Sequence, residues 1–156
     1  MSKTKKIMVA VDFSEYSPKI AAHAGQLAAD LGAELIFVNV INQRDIDMVN
    51  QITLHTDKIS VKDYINGLID DRNEKMQRLL QETNCSRIPN RFLIKKGVPF
   101  MKLVETAKEE KVDMVVMGTK GRGNISVYAC IFFPTNGGVI LQAIFSFDSV
   151  NLARNN

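Results

Sequence analysis

A glycine-rich segment is the part of the sequence whose residue types most clearly suggest chemistry. Residues 118–124 read Gly-Thr-Lys-Gly-Arg-Gly-Asn. Gly118, Gly121 and Gly123 permit left-handed backbone conformations and a close approach to a ligand, and successive exposed amides can bind an anion. Lys120 and Arg122 add positive charge. Neither the Walker pattern nor G-x-G-x-x-G is present, so a phosphate site and an ordinary turn both remain open.

Asp12 is the second candidate, because it directly follows the apolar run at residues 7–11. A carboxylate at the end of a strand can accept a hydrogen bond from a ribose hydroxyl or a base amine. It can equally cap the turn or helix that follows the strand. The sequence leaves both interpretations open.

Other catalytic and metal-binding patterns do not occur in the sequence. His23 and His55 have no cysteine or carboxylate at ligand spacing, and Cys85 and Cys130 form neither a zinc nor a disulfide pattern. No Ser/His/Asp or Cys/His constellation is evident. We therefore expect no catalytic residue, no structural metal and at most a weak ATP hydrolysis.

Charge and hydropathy exclude two classes of partner. The net charge is +3, without the clustered basic excess that is typical of nucleic-acid binders. The apolar runs at residues 127–133 and 139–147 are too short to span a bilayer. We expect neither a nucleic-acid nor a membrane partner.

The elements that must position these residues follow from the apolar pattern. Continuous apolar runs predict strands buried on both faces, whereas spacings of three and four residues predict helices. The predicted strands are at 7–11, 35–40, 91–95 and 112–117, and the predicted helices lie within 18–31, 61–83 and 100–107. Residues 41–60 show no clear period and are predicted to be a long excursion.

Alternating strands and helices imply parallel strands joined by right-handed crossovers. The sequence thus predicts an α/β fold with a doubly wound parallel sheet in three layers. Ligands of such sheets bind beyond the carboxyl ends of the strands, where the winding reverses. The residues predicted at those ends are Asp12, Asn39, Lys96, Gly97 and the segment 118–124.

Four motifs, taken together, resemble the universal stress protein family over about residues 3–126. They are Val-Ala-Val-Asp-Phe-Ser at 9–14, Gly-Ala-Glu-Leu at 32–35, Gly-Val-Pro at 97–99 and Asp-Met-Val-Val-Met-Gly-Thr-Lys-Gly-Arg-Gly at 113–123. The resemblance implies five parallel strands in the order 3-2-1-4-5, with the fifth strand in doubt here. It also implies a cytoplasmic stress-response protein, commonly a homodimer, and in one branch a bound ATP or AMP, with Mg²⁺ accompanying ATP.

The resemblance also implies a set of binding residues. Adenosine would contact Asp12, Val40, Gly97, Met117 and Gly118, and the segment Gly121 to Asn124 would meet phosphate. The complete predicted set is Ala10, Val11, Asp12, Val40, Gly97, Met117, Gly118, Lys120, Gly121, Arg122, Gly123 and Asn124.

One half of the phosphate motif departs from the family pattern. In the nucleotide-binding branch, the glycines that Gly118 and Gly121 match are followed, after nine intervening residues, by a third glycine and then Ser or Thr. This sequence has Ile131 and Phe132 at those two positions. The leading hypothesis is an adenine-nucleotide-binding stress-response domain with an incomplete phosphate site. The alternatives are a regulatory protein–protein interaction module without nucleotide and a related α/β enzyme that cleaves ATP. The Ser-Gly-Gly-x-Asp-Ser loop of that enzyme type is replaced here by residues 11–16.

The C-terminal segment differs in composition from the rest. Residues 127–156 contain only two charged side chains, Asp148 and Arg154, and half of the eight phenylalanines. We therefore divide the chain into a domain at 1–126 and an atypical apolar tail at 127–156, either part of that domain or poorly ordered. Within the tail, residues 139–145 are the candidate edge strand for a homodimer. We hypothesise that the tail is translated in a different frame from the ancestral one, and a divergent functional tail is the alternative.

We expect proteases to cleave first within residues 127–156, because this segment must cover the sheet with apolar surface that lacks a polar face. Limited proteolysis followed by mass spectrometry measures the order of cleavage. A tail as resistant as the rest of the chain would contradict the expectation. The coding nucleotide sequence tests the frame hypothesis, since an alternate frame should restore a Gly-Ser/Thr pair and an Ala-Glu-type helix.

Overall fold

The computed structural model describes residues 5–58, 60–120, 125–135 and 138–148. For residues 119–120, 125–135 and 138–148 the description concerns the backbone. The strands are β1 Lys6–Ala10, β2 Glu34–Asn42, β3 Asn90–Gly97, β4 Met114–Lys120, β5 Ile125–Thr135 and β6 Gly138–Asp148. The helices are α1 Ser17–Leu31, α2 Gln43–Thr53, α3 Val61–Thr83 and α4 Pro99–Glu110, with a 3₁₀ turn at Cys85–Arg87.

The four predicted strands form a parallel sheet in the order β3-β2-β1-β4. β1 lies at its centre, where Val9 pairs with Phe37 of β2 on one side and with Val116 of β4 on the other. These three side chains are fully buried. The doubly wound α/β fold expected from the sequence is confirmed.

Helices cover both faces of this sheet. One face carries a core of Ile7, Val9, Leu35 and Phe37 together with side chains of α1 and α3. The other face places Met8, Ile36 and Val38 against α4. Alternate residues of β1 and β2 therefore face different helices, as expected for strands that are buried on both sides.

The expectation of an irregular excursion at residues 41–60 is wrong in part. β2 extends to Asn42, and α2 begins directly after it, where the Asn42 side chain accepts a hydrogen bond from the Arg44 amide at 3.0 Å. Ile46 is the one buried residue of this helix. Because α2 buries so little, its sequence lacks the apolar stripe by which helices are normally recognised.

Beyond β4 the chain continues differently from the family pattern. β5 pairs with β4 in the antiparallel direction, from Lys120 opposite Ile125 to Met114 opposite Ile131, and β6 pairs antiparallel with β5. The connection from β4 to β5 spans residues 121–124, which is too short for the helical crossover that a parallel fifth strand requires. Gly118 is a strand residue opposite Val127, so the glycine-rich loop is shorter than the sequence indicated.

The boundary between domain and tail stays a prediction. β5 begins at Ile125, before the predicted boundary, and continues into the tail, where it pairs with β6. Residues 136–137 and 149–156 of the tail lie outside the described residues. Among the described helices, none combines the length and apolar character needed to cross a membrane.

Gly25 allows α1 to lie close to the 3₁₀ turn. A Cβ atom at Gly25 would stand 2.9 Å from Cys85 Sγ, closer than real Cβ contacts. Cys85 is fully buried, and its thiol donates to Ala21 O of the same helix at 3.3 Å. Burial raises the pKa of this thiol, so it stays a neutral packing group.

We expect Gly25→Ala to lower the free energy of unfolding by about 1–3 kcal/mol because it overpacks this contact. In an unobstructed helix the same change would stabilise by about 1 kcal/mol. Urea denaturation of Gly25→Ala, Cys85→Ala and the double variant measures the coupling between the two positions. The steric explanation fails if Gly25→Ala is equally destabilising when Cys85 is alanine.

Candidate functional site

A cavity of about 370 Å³ opens at the carboxyl ends of β1, β2 and β4. It lies where the sheet winding reverses, since β1 leads to β2 on one side and has β4 on the other. The cavity is lined by Ala10, Val11, Asp12, Ile20, Val38, Asn39, Val40, Asn42, Pro99, Leu103 and Gly118. This is the place at which doubly wound folds bind ligands.

The Asp12 carboxylate caps the turn that follows β1. Its Oδ1 accepts hydrogen bonds from the Ser14 amide at 2.9 Å and from the Ser17 hydroxyl at 3.1 Å. Ser17 is the first residue of α1 and is buried. The capping role that the sequence left open for Asp12 is thus realised, and the same residue also lines the cavity.

Phe13 fixes the loop that follows. Its backbone is left-handed, with φ of 58°, a conformation that costs roughly 1–2 kcal/mol for a residue other than glycine. Its ring packs edge-on against Phe92 of β3, with ring centroids 6.0 Å apart. An aromatic pair of this kind contributes about 0.5–1.5 kcal/mol and so offsets much of the backbone cost.

Asn39 is the second anchored polar group of the cavity. It is 2 % exposed. Its Nδ2 donates to Val11 O at 2.7 Å, and its Oδ1 accepts from the Arg72 guanidinium of α3. Because both ends of the amide have partners, the side chain is held in one orientation across the ends of β1 and β2.

Gly118 presents backbone to the cavity. The Val11 amide donates to Val38 O of β2, and because strand peptides alternate in direction, the peptide groups of Ala10 point toward β4. The register that pairs Val9 with Val116 places Gly118 among the β4 residues that face β1. β4 continues beyond this pairing, so the Gly118 peptide groups face the open end of the sheet.

The predicted binding residues other than Gly97 separate into three groups. Ala10, Val11, Asp12, Val40 and Gly118 lie together around the cavity. Met117 packs instead with the core beneath α4, and Lys120 is the last residue of β4. Gly121, Arg122, Gly123 and Asn124 lie outside the described residues.

Gly97 ends β3 beside Lys102 of α4 rather than in the cavity wall. Its φ is 145°, and a Cβ there would stand 2.8 Å from Lys102 Cε. The Lys102 ammonium lies 3.0 Å from Glu105 Oε2 and lowers the pKa of that carboxyl. The positive φ therefore favours glycine at this position, and a Cβ would also displace the Lys102 side chain.

Several wall residues were not predicted from the sequence. They are Ile20 of α1, Val38 and Asn42 of β2, and Pro99 and Leu103 at the start of α4. Pro99 follows the predicted turn at Gly97 and could have been found from it, since that turn also follows a strand end. In the described part of the chain, no group of three or more His, Cys, Asp or Glu residues could hold a metal ion.

Comparisons with known proteins assign the chain to a family. The model of the universal stress protein family matches residues 3–128. The chain belongs to this family. Universal stress protein MJ0577 of Methanocaldococcus jannaschii is 25% identical over 129 residues, which cover 78% of this chain and 80% of that protein.

Solved structures of universal stress proteins share the fold. A structure of hypothetical protein MJ0577 has a TM-score of 0.61 and 26% identity, and the match covers 77% of this chain and 78% of that chain. The universal stress protein from Archaeoglobus fulgidus, solved in complex with dAMP, has a TM-score of 0.51 and 16% identity, and it covers 75% of this chain and 82% of that chain.

We expect Asp12→Ala to lower the free energy of unfolding by about 1–2 kcal/mol, because the Ser14 amide and the buried Ser17 hydroxyl lose their common acceptor. Asp12→Asn keeps an oxygen in the Oδ1 position and serves as the matched control, with a loss below about 0.5 kcal/mol. Urea denaturation measures both variants. Equal destabilisation by the two changes would show that the charge, rather than the acceptor oxygen, holds the loop.

Proposed function

We propose that this universal stress protein binds an adenine nucleotide, AMP or ATP, in the cavity at the ends of β1, β2 and β4. The observation that carries the proposal is the convergence of Asp12, Asn39 and Gly118 on one cavity of about 370 Å³ at the switch point of the sheet. Its volume lies in the range of small-molecule sites. The role is binding, without a catalytic residue.

The cavity wall matches the two parts of a nucleoside. Val38, Val40 and Leu103 supply apolar surface against which a planar base can pack. The Asp12 carboxylate can accept from a ribose hydroxyl or an exocyclic amine. The backbone of Gly118 adds a donor and an acceptor at the opposite wall.

The phosphate side is less well equipped than in the family pattern. Ile131 and Phe132, which replace the third glycine of the family pattern and its Ser/Thr neighbour, lie in β5, with Ile131 opposite Met114. Met114 begins β4, four residues or about 13 Å before Gly118, so these positions are remote from the cavity. We infer weak binding of ATP, because the family's phosphate motif is reduced to its first half, which includes the segment 121–124, and an accompanying Mg²⁺ if ATP binds.

A related structure with a bound adenine nucleotide supports the proposed nucleotide binding. A relative with the same fold, from Archaeoglobus fulgidus, was solved with dAMP. Cytoplasmic location, a part in the stress response and assembly as a homodimer belong to the same proposal. Homodimerisation would use β6, the outer strand of the described sheet.

A regulatory protein–protein interaction module is the second candidate. A cleft of about 830 Å³ runs between α2 and the start of α4 and shares Asn42 and Pro99 with the first cavity. Its apolar members Met48, Ile52 and Val98 are each about half exposed. Because Asn42 and Pro99 line both cavities, the affinity of a partner that docks in the cleft would depend on whether the nucleotide site is occupied.

We expect AMP and ATP to bind with dissociation constants in the high micromolar to millimolar range, and Gly118→Val to weaken both by at least about tenfold. A valine side chain at position 118 would narrow the cavity. Because valine is favourable in strands, the substitution should leave β4 folded. Calorimetric titration measures binding, and Thr119→Val, at the next position of the same strand, is the control. ATP binding that is tight and insensitive to Gly118→Val would contradict the proposed site. Phosphate release tests the enzyme alternative.

A further inference from the structure

Arg72 interrupts the apolar face of α3. The face runs through Ile65 and Ile69 to Met76 and Leu79, and position 72 continues the same spacing of three and four residues. Met76 is 1 % exposed, and Arg72 itself is half-buried. A charged side chain at such a position requires an explanation, because burying a charge is costly unless it is paired.

The structure gives Arg72 a neutral partner. Its Nη1 donates to Asn39 Oδ1, and Asn39 is fixed in turn by its hydrogen bond to Val11 O. Asn39 and Val11 both line the strand-end cavity. From the side of α3, the guanidinium therefore contacts a cavity-lining amide whose orientation is fixed, while Arg72 itself lies behind Asn39 rather than in the cavity wall.

Arg72 differs in its charge pairing from its neighbours on the helix. Lys75 lies 3.0 Å from Asp71, and Arg78 lies 3.7 Å from Glu74. Within the described ranges 5–58 and 60–118, no carboxylate oxygen lies within 4.0 Å of the Arg72 guanidinium. An amide oxygen accepts one hydrogen bond without neutralising the charge, and a guanidinium carries five donors.

We propose that Arg72 binds the anionic group of the ligand in the strand-end cavity, and that Asn39 positions its guanidinium for this contact. A planar guanidinium with unused donors is suited to the oxygens of a phosphate group. Arg72 then supplies, from α3, a contact that the remote Ile131 and Phe132 do not. This inference rests on the proposed nucleotide function and assigns the recognition of the phosphate to a residue outside the glycine-rich segment.

The test compares adenosine with AMP, which differ only in the phosphate. Both are titrated by NMR chemical shifts into the full-length chain, since this method reaches millimolar dissociation constants. Arg72→Gln removes the charge but keeps an amide donor for Asn39, and Arg72→Lys keeps the charge. Arg78→Gln makes the same substitution six residues further along α3, at a side chain 65% exposed, and is the matched control. Thermal melts establish that every variant is folded at the assay temperature.

We expect Arg72→Gln to weaken AMP binding about tenfold or more, the effect of losing hydrogen bonds to a charged group. Adenosine affinity should change less than about twofold, Arg72→Lys should recover part of the AMP affinity, and Arg78→Gln should change neither ligand. Asn39→Ala should reduce the preference for AMP over adenosine, and less so when Arg72 is already glutamine.

Two results overturn the proposal in distinguishable ways. If the wild-type chain binds both ligands and Arg72→Gln changes both affinities by the same factor or changes neither, Arg72 is structural and the nucleotide site stands. If the wild-type chain binds neither adenosine nor AMP, the proposed function is overturned, and the role of Arg72 with it.

Discussion

The parallel pairing of β1 with both β2 and β4 is the constraint on which the rest of the molecule depends. Val9 of this strand is fully buried, with Phe37 and Val116 as its neighbours in the sheet. Because the chain leaves β1 toward β2 and reaches β4 only after two further strands, the crossovers diverge at its carboxyl end. That divergence opens the cavity, and the crossovers diverge at no other point of the parallel sheet β3-β2-β1-β4.

Two hydrogen-bonding side chains, the exposed Asp12 and the buried Asn39, turn this opening into a defined site. Asp12 connects the end of β1 to the first turn of α1, and Asn39 connects β1 and β2 to α3. Asn39 and the Ser17 hydroxyl that Asp12 accepts from are both buried, where a hydrogen bond is strong and an unpaired polar group is costly. The cavity wall is consequently ordered before any ligand enters, which reduces the free energy needed to order it on binding.

The sequence predicted what depends on local pattern and missed what depends on distant partners. The four parallel strands and α3 followed from apolar runs and spacing, and Asp12 and Gly118 from their positions after strands. α2 was missed because it buries only Ile46. The direction of β5 could not be predicted, because the sequence does not show that a strand begins at Ile125, directly after the glycine-rich segment. Arg72 could have been noticed as a charge on an apolar helix face, but its contact with Asn39 joins residues that are far apart in the chain.

The central strand also has a consequence for the order of events during synthesis. The Lys6 amide donates to Asp113 Oδ2 at 2.9 Å across a separation of 107 residues. As the chain leaves the ribosome from its N-terminus, β1 can join β2 early, but its other edge stays open until β4 has been made. Contacts of such long range slow folding, and an open apolar edge can pair with other chains. In a growing chain, this edge is therefore where a holding chaperone would act.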